Sequence, residues 1–209
     1  YEAFAKYAEI VIRRFGERVN TYIPFNEQNA AALLGGSMLP QELTPEERRR
    51  NQELVYHHHF MASAAVWHLA RQYAPHAKVG GMVNFLPMYP ATSKPEDVLA
   101  AQQADQRYNF RALDIFARGK YPAELLREWE ENPPYRDGDL AYIGQAKMDF
   151  LAHSYYQSAA VQDAPIDPTV PFAALFGVSM TKNPHLNVSE WGWAIDPVGL
   201  RLCVKEIYD

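Results

Sequence analysis

The sequence predicts an α/β chain with parallel strands and long βα loops, forming part of a (β/α)8 barrel. Two observations carry this reading. Strands alternate with helices, in the order helix, strand, helix, strand, helix, strand, loop, helix. Each strand also opens at its C-terminal end into polar or aromatic residues and a substantial loop, which is where a barrel carries its function. Only three strands are legible in 209 residues, too few to close an eight-stranded barrel. The chain also starts at Tyr1, already inside a periodic helix, and stops at Asp209, just past another. The expectation is one incomplete domain over 1–209, the central segment of a barrel.

The elements follow in order. Phe4, Tyr7, Ala8, Val11, Ile12 and Phe15 recur at helical spacing, and Gly16 ends that helix. Val19 to Phe25 is a β-prone run, with Pro24 near its end because proline donates nothing to a sheet. Residues 30–43, with Gly35-Gly36, read as a loop. Thr44 as N-cap, Pro45 at the first helical position and Glu47 closing a capping box start a long helix, which Pro75 ends. Lys78 to Asn84 is the second strand. Ser93 with Glu96 forms another capping box, starting a helix to about Phe116. Short helices over Ala123–Glu130 and Asp139–Gln145 precede a third strand, Met148 to Ser154. Residues 157–189 are an irregular stretch too long for a neutral connector. Asp196-Pro197 caps the last helix, to about Tyr208.

Composition narrows the function. With 48% hydrophobic and 22% charged residues the chain is globular. Its net charge of −5, without a basic face, argues against nucleic acid as a partner. The lone Cys203 precludes an intrachain disulfide and favours a reducing, cytoplasmic setting. No apolar run reaches membrane-helix length, so no membrane partner is expected. A homo-oligomer is left open.

Glu27 is the sharpest candidate for chemistry. It follows an apolar strand and stands among the amides Asn26, Gln28 and Asn29. A carboxyl there serves as a general acid if burial or a like charge lifts its pKa. Spacing alone favours a loop-capping glutamate.

The run Tyr22-Ile23-Pro24-Phe25-Asn26-Glu27-Gln28 resembles the W-x-T-F-N-E-P strand motif of glycoside hydrolase family 1, the β-glucosidase family. Phe15-Gly16-Glu17-Arg18-Val19, Tyr121-Pro122, Asp149-Phe150-Leu151, Ser154-Tyr155-Tyr156 and Gly192 to Leu200 fall in family order, so the resemblance spans nearly the whole chain. Lys94 to Asp105, Ala117 to Pro122, Ser154-Tyr155-Tyr156 and Ser189 to Trp193 look most like the bacterial 6-phospho-β-glucosidase branch, whose members hydrolyse imported, phosphorylated β-glucosides.

The resemblance implies a retaining hydrolase with two carboxylates. Glu27 is then the catalytic acid/base, Asn26 binds the sugar 2-hydroxyl, and Tyr156 binds at the site by hydrogen-bonding the nucleophile. No metal and no cofactor are implied, and the partner is a small β-glucoside, 6-phosphorylated in that branch. Pro24, Gln28 and Ser154 depart from the common Thr, Pro and Asn. The nucleophile motif I-T-E-N-G is not found in these 209 residues, so the segment alone is expected to be inactive. The rivals are a β-glucosidase or β-galactosidase for unphosphorylated sugars and a noncatalytic carbohydrate-binding or structural remnant.

Other residues read as structural. His57-His58-His59 cannot all face one ion, because successive helix residues point about 100° apart; His58, on a stripe with Val55, Ala62 and Ala65, is the expected buried one. Arg48-Arg49-Arg50 reads as a solvated face, Glu190 as a loop residue and Cys203 as an inert core thiol. Trp191 and Trp193 fit a sugar platform and loop packing equally well.

Overall fold

The computed structural model describes residues 1–30, 40, 42–167, 173 and 177–208. The Gly35-Gly36 loop and part of the 157–189 stretch lie outside the described residues. The chain forms two compact units, Tyr1–Val83 with Arg111–His153 and Asn84–Phe110 with Ser154–Asp209.

In the first unit, α1 (Glu2–Phe15) packs on α2 (Pro45–Tyr73). Ala8 and Ile12 meet Val66, Ala70, Ala74, Ala77 and Val79. Gly16 lets the two helices approach: a Cβ there would lie 2.9 Å from that of Ala74 and 2.5 Å from Ile12 O. Its φ of −57° is ordinary, so close packing rather than a left-handed cap requires glycine. The Thr44–Glu47 capping box is present, with Glu47 N donating to Thr44 Oγ1 and Thr44 N donating to Glu47 Oε2.

The first sheet orders its strands β1, β2, β4, where β1 is Thr21–Tyr22, β2 Lys78–Asn84 and β4 Phe150–Ser154. β1 runs parallel to β2, with Thr21 opposite Lys78. Asp149 N donates to Val79 O and Phe85 N to Ser154 O, so the register of β2 and β4 rises together. The three strands are those the sequence predicts, in the predicted parallel sense. The first is much shorter than the expected run from Val19 to Phe25, because the chain bends away before Pro24, which has no N–H to continue the ladder. Arg71 of α2 pairs with Asp149, whose carboxylate also accepts from Val79 N at 2.7 Å, fixing where β2 and β4 begin.

The second unit holds β3 (Met88–Pro90), β5 (Ala159–Gln162) and β6 (Ser179–Thr181), which form a separate sheet in the order β3, β5, β6. β3 and β5 are parallel, and β5 and β6 antiparallel. The irregular stretch expected over 157–189 therefore contains two short strands. The helix α3 (Pro95–Asp105) packs on β3 and β5 through Ala101, Ala104 and Val161. Its expected Ser93–Glu96 box is not formed. Instead Asp97, one residue further on, accepts from Thr92 Oγ1 and from Asp163 N, which binds the helix start to the end of β5.

The expected helix to Phe116 is interrupted by a π-helical turn, Gln106–Phe110, before α4 (Arg111–Arg118). Within that turn the buried Asn109 donates to Leu86 O at 2.8 Å and accepts from Leu86 N at 3.0 Å, and Tyr108 Oη donates to Asn84 Oδ1 at 3.2 Å. After α5 (Ala123–Glu128) and α6 (Asp139–Gln145) of the first unit, the last helix α7 (Pro197–Tyr208) begins at Asp196 as expected. Asp196 accepts from Gly199 N at 2.9 Å, Ser158 Oγ at 2.7 Å and Tyr89 Oη at 2.9 Å. Burial opposes its ionisation, but these hydrogen bonds outweigh it and hold the carboxyl below the usual range. A Cβ on Gly199 would come within 2.3 Å of Tyr155 Oη, which gives the glycine of the Asp196-Pro197-Val198-Gly199 run a steric reason.

Candidate active site

Glu27 lies a few residues beyond the C-terminal end of β1, at the functional end expected of a barrel strand. It is half-buried, and its φ of 43° makes it the one non-glycine among the described residues in the left-handed region. A left-handed glutamate costs about 1–3 kcal/mol and persists only where its neighbours hold it; such residues gather at functional sites.

The neighbours are identifiable. Phe25 is stacked between Phe4 of α1, with ring centroids 4.6 Å apart, and His59 of α2, at 4.8 Å. Gln28 is buried, and its Oε1 accepts from Ser63 Oγ, also on α2, at 2.8 Å. Asn26 is exposed and Asn29 buried. The first unit therefore carries Asn26 and Glu27 on one short, well-held loop.

Tyr156 belongs to the second unit, two residues past the end of β4. It is half exposed, and its ring lies 5.6 Å from that of Trp193, which is 5.9 Å from Trp191. Trp191 is 83% exposed. The three rings run beside a groove of about 620 Å³, lined among others by Gln157, Gln162, Asn183 and both tryptophans. Open aromatic faces next to amides suit a flat, hydroxylated ligand. Trp191 is thus not buried beneath a loop. Glu190 is exposed, in the turn that the Val188–Ala194 bridge closes, as its reading as a loop residue expects.

The family model for glycosyl hydrolase family 1 matches residues 1–209. The chain belongs to glycosyl hydrolase family 1. An aryl-phospho-β-D-glucosidase of Bacillus subtilis, BglH, is 35% identical over 214 residues, which cover 100% of this family 1 chain and 45% of BglH. The 6-phospho-β-glucosidase AscB of Escherichia coli is 34% identical, covering 100% of this chain and 44% of its own. The solved family 1 β-glucosidase of Thermotoga maritima superposes with a TM-score of 0.75 at 27% identity, over 98% of this chain and 44% of its own. The chain therefore spans a little under half the length of these relatives, and its fold is part of the family's barrel.

His57, Arg50 and Cys203 of the family 1 chain are held in structural contacts or buried. The fully buried histidine is His57, not the expected His58. Its Nε2 lies 3.0 Å from Asp139 Oδ2 and its Nδ1 2.9 Å from Tyr121 Oη. A carboxylate only accepts, so Nε2 carries the proton and Nδ1 accepts from the tyrosine. Arg50 is less solvated than expected: it donates to Asn132 O and Pro133 O, tying α2 to the loop before α6. Cys203 is buried, and burial pushes its thiol up to about 12, so it is inert as expected.

Sequence reasoning missed the anchors His59 and Ser63. Their i, i+4 spacing puts them on one face of α2, but nothing in the sequence says which loop that face meets.

Proposed function

We propose that the protein carrying this chain is a retaining β-glycosidase that hydrolyses 6-phospho-β-glucosides, with Glu27 as its acid/base. The observation that carries the reading is the left-handed Glu27 at a strand's C-terminal end, in a loop whose sequence resembles the acid/base motif of the family to which the chain belongs. The phosphorylated substrate is supported by the relatives named aryl-phospho-β-D-glucosidase and 6-phospho-β-glucosidase. Substrates that are phosphorylated on import would place the reaction in the cytoplasm.

In this mechanism a second carboxylate, about 5–5.5 Å from the first, attacks the anomeric carbon while Glu27 donates its proton to the leaving oxygen. The glycosyl–enzyme is then hydrolysed by a water from which Glu27 takes a proton. Asn26, next to the acid, holds the 2-hydroxyl, and Tyr156 orients the nucleophile. Because the family's nucleophile motif is not within residues 1–209, these residues supply one of the two carboxyl groups.

A second reading, hydrolysis of unphosphorylated β-glucosides, is favoured by structural similarity to proteins such as the Thermotoga β-glucosidase. Paired assays separate the two. A complete polypeptide carrying this segment is expected to hydrolyse an aryl 6-phospho-β-glucoside with much the higher kcat/KM of the pair, and the isolated 209 residues are expected to turn over neither substrate. Preference for the unphosphorylated glucoside would replace the first reading with the second. Turnover by the isolated 209 residues would show that they hold a second catalytic carboxylate.

A further inference from the structure

We propose that His59 and Ser63 of α2 form a clamp that positions Glu27 for proton transfer, one gripping the loop before the acid and the other after it. The proposal rests on the reading of Glu27 as the acid/base and adds two positioning residues to it.

The two residues stand one helical turn apart and so share a face of α2. His59 stacks nearly parallel on Phe25, with an interplanar angle of 14°, and Phe4 closes the other side of that ring. Ser63 Oγ donates to Gln28 Oε1 at 2.8 Å, and both side chains are about 1% exposed. Phe25 and Gln28 flank Asn26-Glu27, so both ends of the dipeptide are fixed to one rigid helix. Between them the backbone takes the left-handed conformation, φ 43°, that glutamate does not hold unaided. Releasing either end lets Glu27 relax to an ordinary conformation and swings its carboxyl away from the leaving oxygen.

Burial holds His59 below the usual histidine range, so the ring is neutral and stacks as an apolar plate at neutral pH. Gln28 stands where the family commonly has proline. The Ser63 hydrogen bond gives this loop, by side-chain anchoring, the rigidity that a proline ring supplies through φ.

The test uses a complete polypeptide carrying this segment and two substrates, one with an alkyl and one with a dinitrophenyl leaving group. A general defect lowers kcat/KM on both alike. A misplaced acid lowers it only where protonation is needed. His59→Ala and Ser63→Ala are expected to lose on the order of 10- to 100-fold on the alkyl glycoside, the scale of a displacement of about 1 Å at a reacting group, while the dinitrophenyl rate stays nearly unchanged. His59→Phe keeps the stacked plate and is expected to restore the alkyl rate. If Ser63→Ala fails to fold, Gln28→Met removes the same hydrogen bond at similar volume and is read in its place.

Glu27→Gln is measured alongside. If it shows the leaving-group split and the clamp variants do not, the clamp is wrong and the acid assignment stands. If Glu27→Gln shows no split, the acid assignment fails and the clamp fails with it.

Discussion

Glu27→Gln is expected to lower kcat/KM by about 10²–10⁴-fold on a β-glycoside with an alkyl leaving group, the range that a positioned general acid contributes. On a dinitrophenyl glycoside of the same sugar it is expected to change little. The contrast follows from where charge develops. Cleavage to an alkoxide needs a proton on the glycosidic oxygen in the transition state, whereas dinitrophenolate departs without one. Glutamine keeps the size and the hydrogen-bonding shape of the side chain but has no proton of suitable acidity to give. Measuring kcat/KM confines the comparison to the first displacement, so the later need for a base does not enter. Equal loss on both substrates would mean that Glu27 holds the loop rather than donating a proton.

The second large effect is on stability. His57→Phe is expected to cost about 1–3 kcal/mol, because it leaves Tyr121 Oη buried without its acceptor and takes a donor from Asp139. It also removes a pH dependence. Burial, against the opposing pull of Asp139, holds the His57 pKa below its ordinary value. The unfolded chain therefore binds a proton near pH 6.5 that the folded chain refuses. Stability linked to this group is complete above the unfolded pKa. It is lost as pH falls from there toward the folded pKa, and levels off below that. Urea midpoints at pH 7.5 and 5.5 check both points, with His57→Phe less stable at the higher pH and the gap to the parent narrowing at the lower. A gap that does not narrow would mean that His57 is charged when folded.

The parallel strands and the loop that carries Glu27 were legible because they rest on strong local signals. The apolar run from Lys78 to Asn84 and the motif through Glu27 each fall where a strand or its loop is found. The long α2 was legible from Thr44, Pro45 and Glu47 at its start and Pro75 at its end.

What escaped has physical reasons. Phe60 to Val66 are buried without a break, so α2 has no single apolar stripe there, and periodicity chose His58 where packing chose His57. The strands β3, β5 and β6 are three or four residues long and show no alternation to read. The π-helical turn leaves helical spacing nearly intact on either side, and its cause, the hold of Asn109 on Leu86, is a long-range contact. The Ser93–Glu96 motif was a fair capping box, but Asp97 gained a second partner in Asp163 N that only the folded chain brings near. The left-handed backbone of Glu27 likewise depends on α1 and α2 meeting its loop, which no local pattern encodes.

The central claim is that Glu27 is the acid/base of a retaining glycosidase, and its most direct test is the anomeric configuration of the product formed by Glu27→Ala with azide. Removing the base leaves water a poor nucleophile toward the glycosyl–enzyme, while azide attacks without giving up a proton. If Glu27 is the acid/base, the missing carboxylate is not the nucleophile, two inversions still occur, and a β-substrate with an activated leaving group yields the β-glycosyl azide at an azide-dependent rate. If Glu27 were instead the nucleophile, azide would enter the vacated side of the sugar, invert it once and give the α-glycosyl azide, which would contradict the assignment.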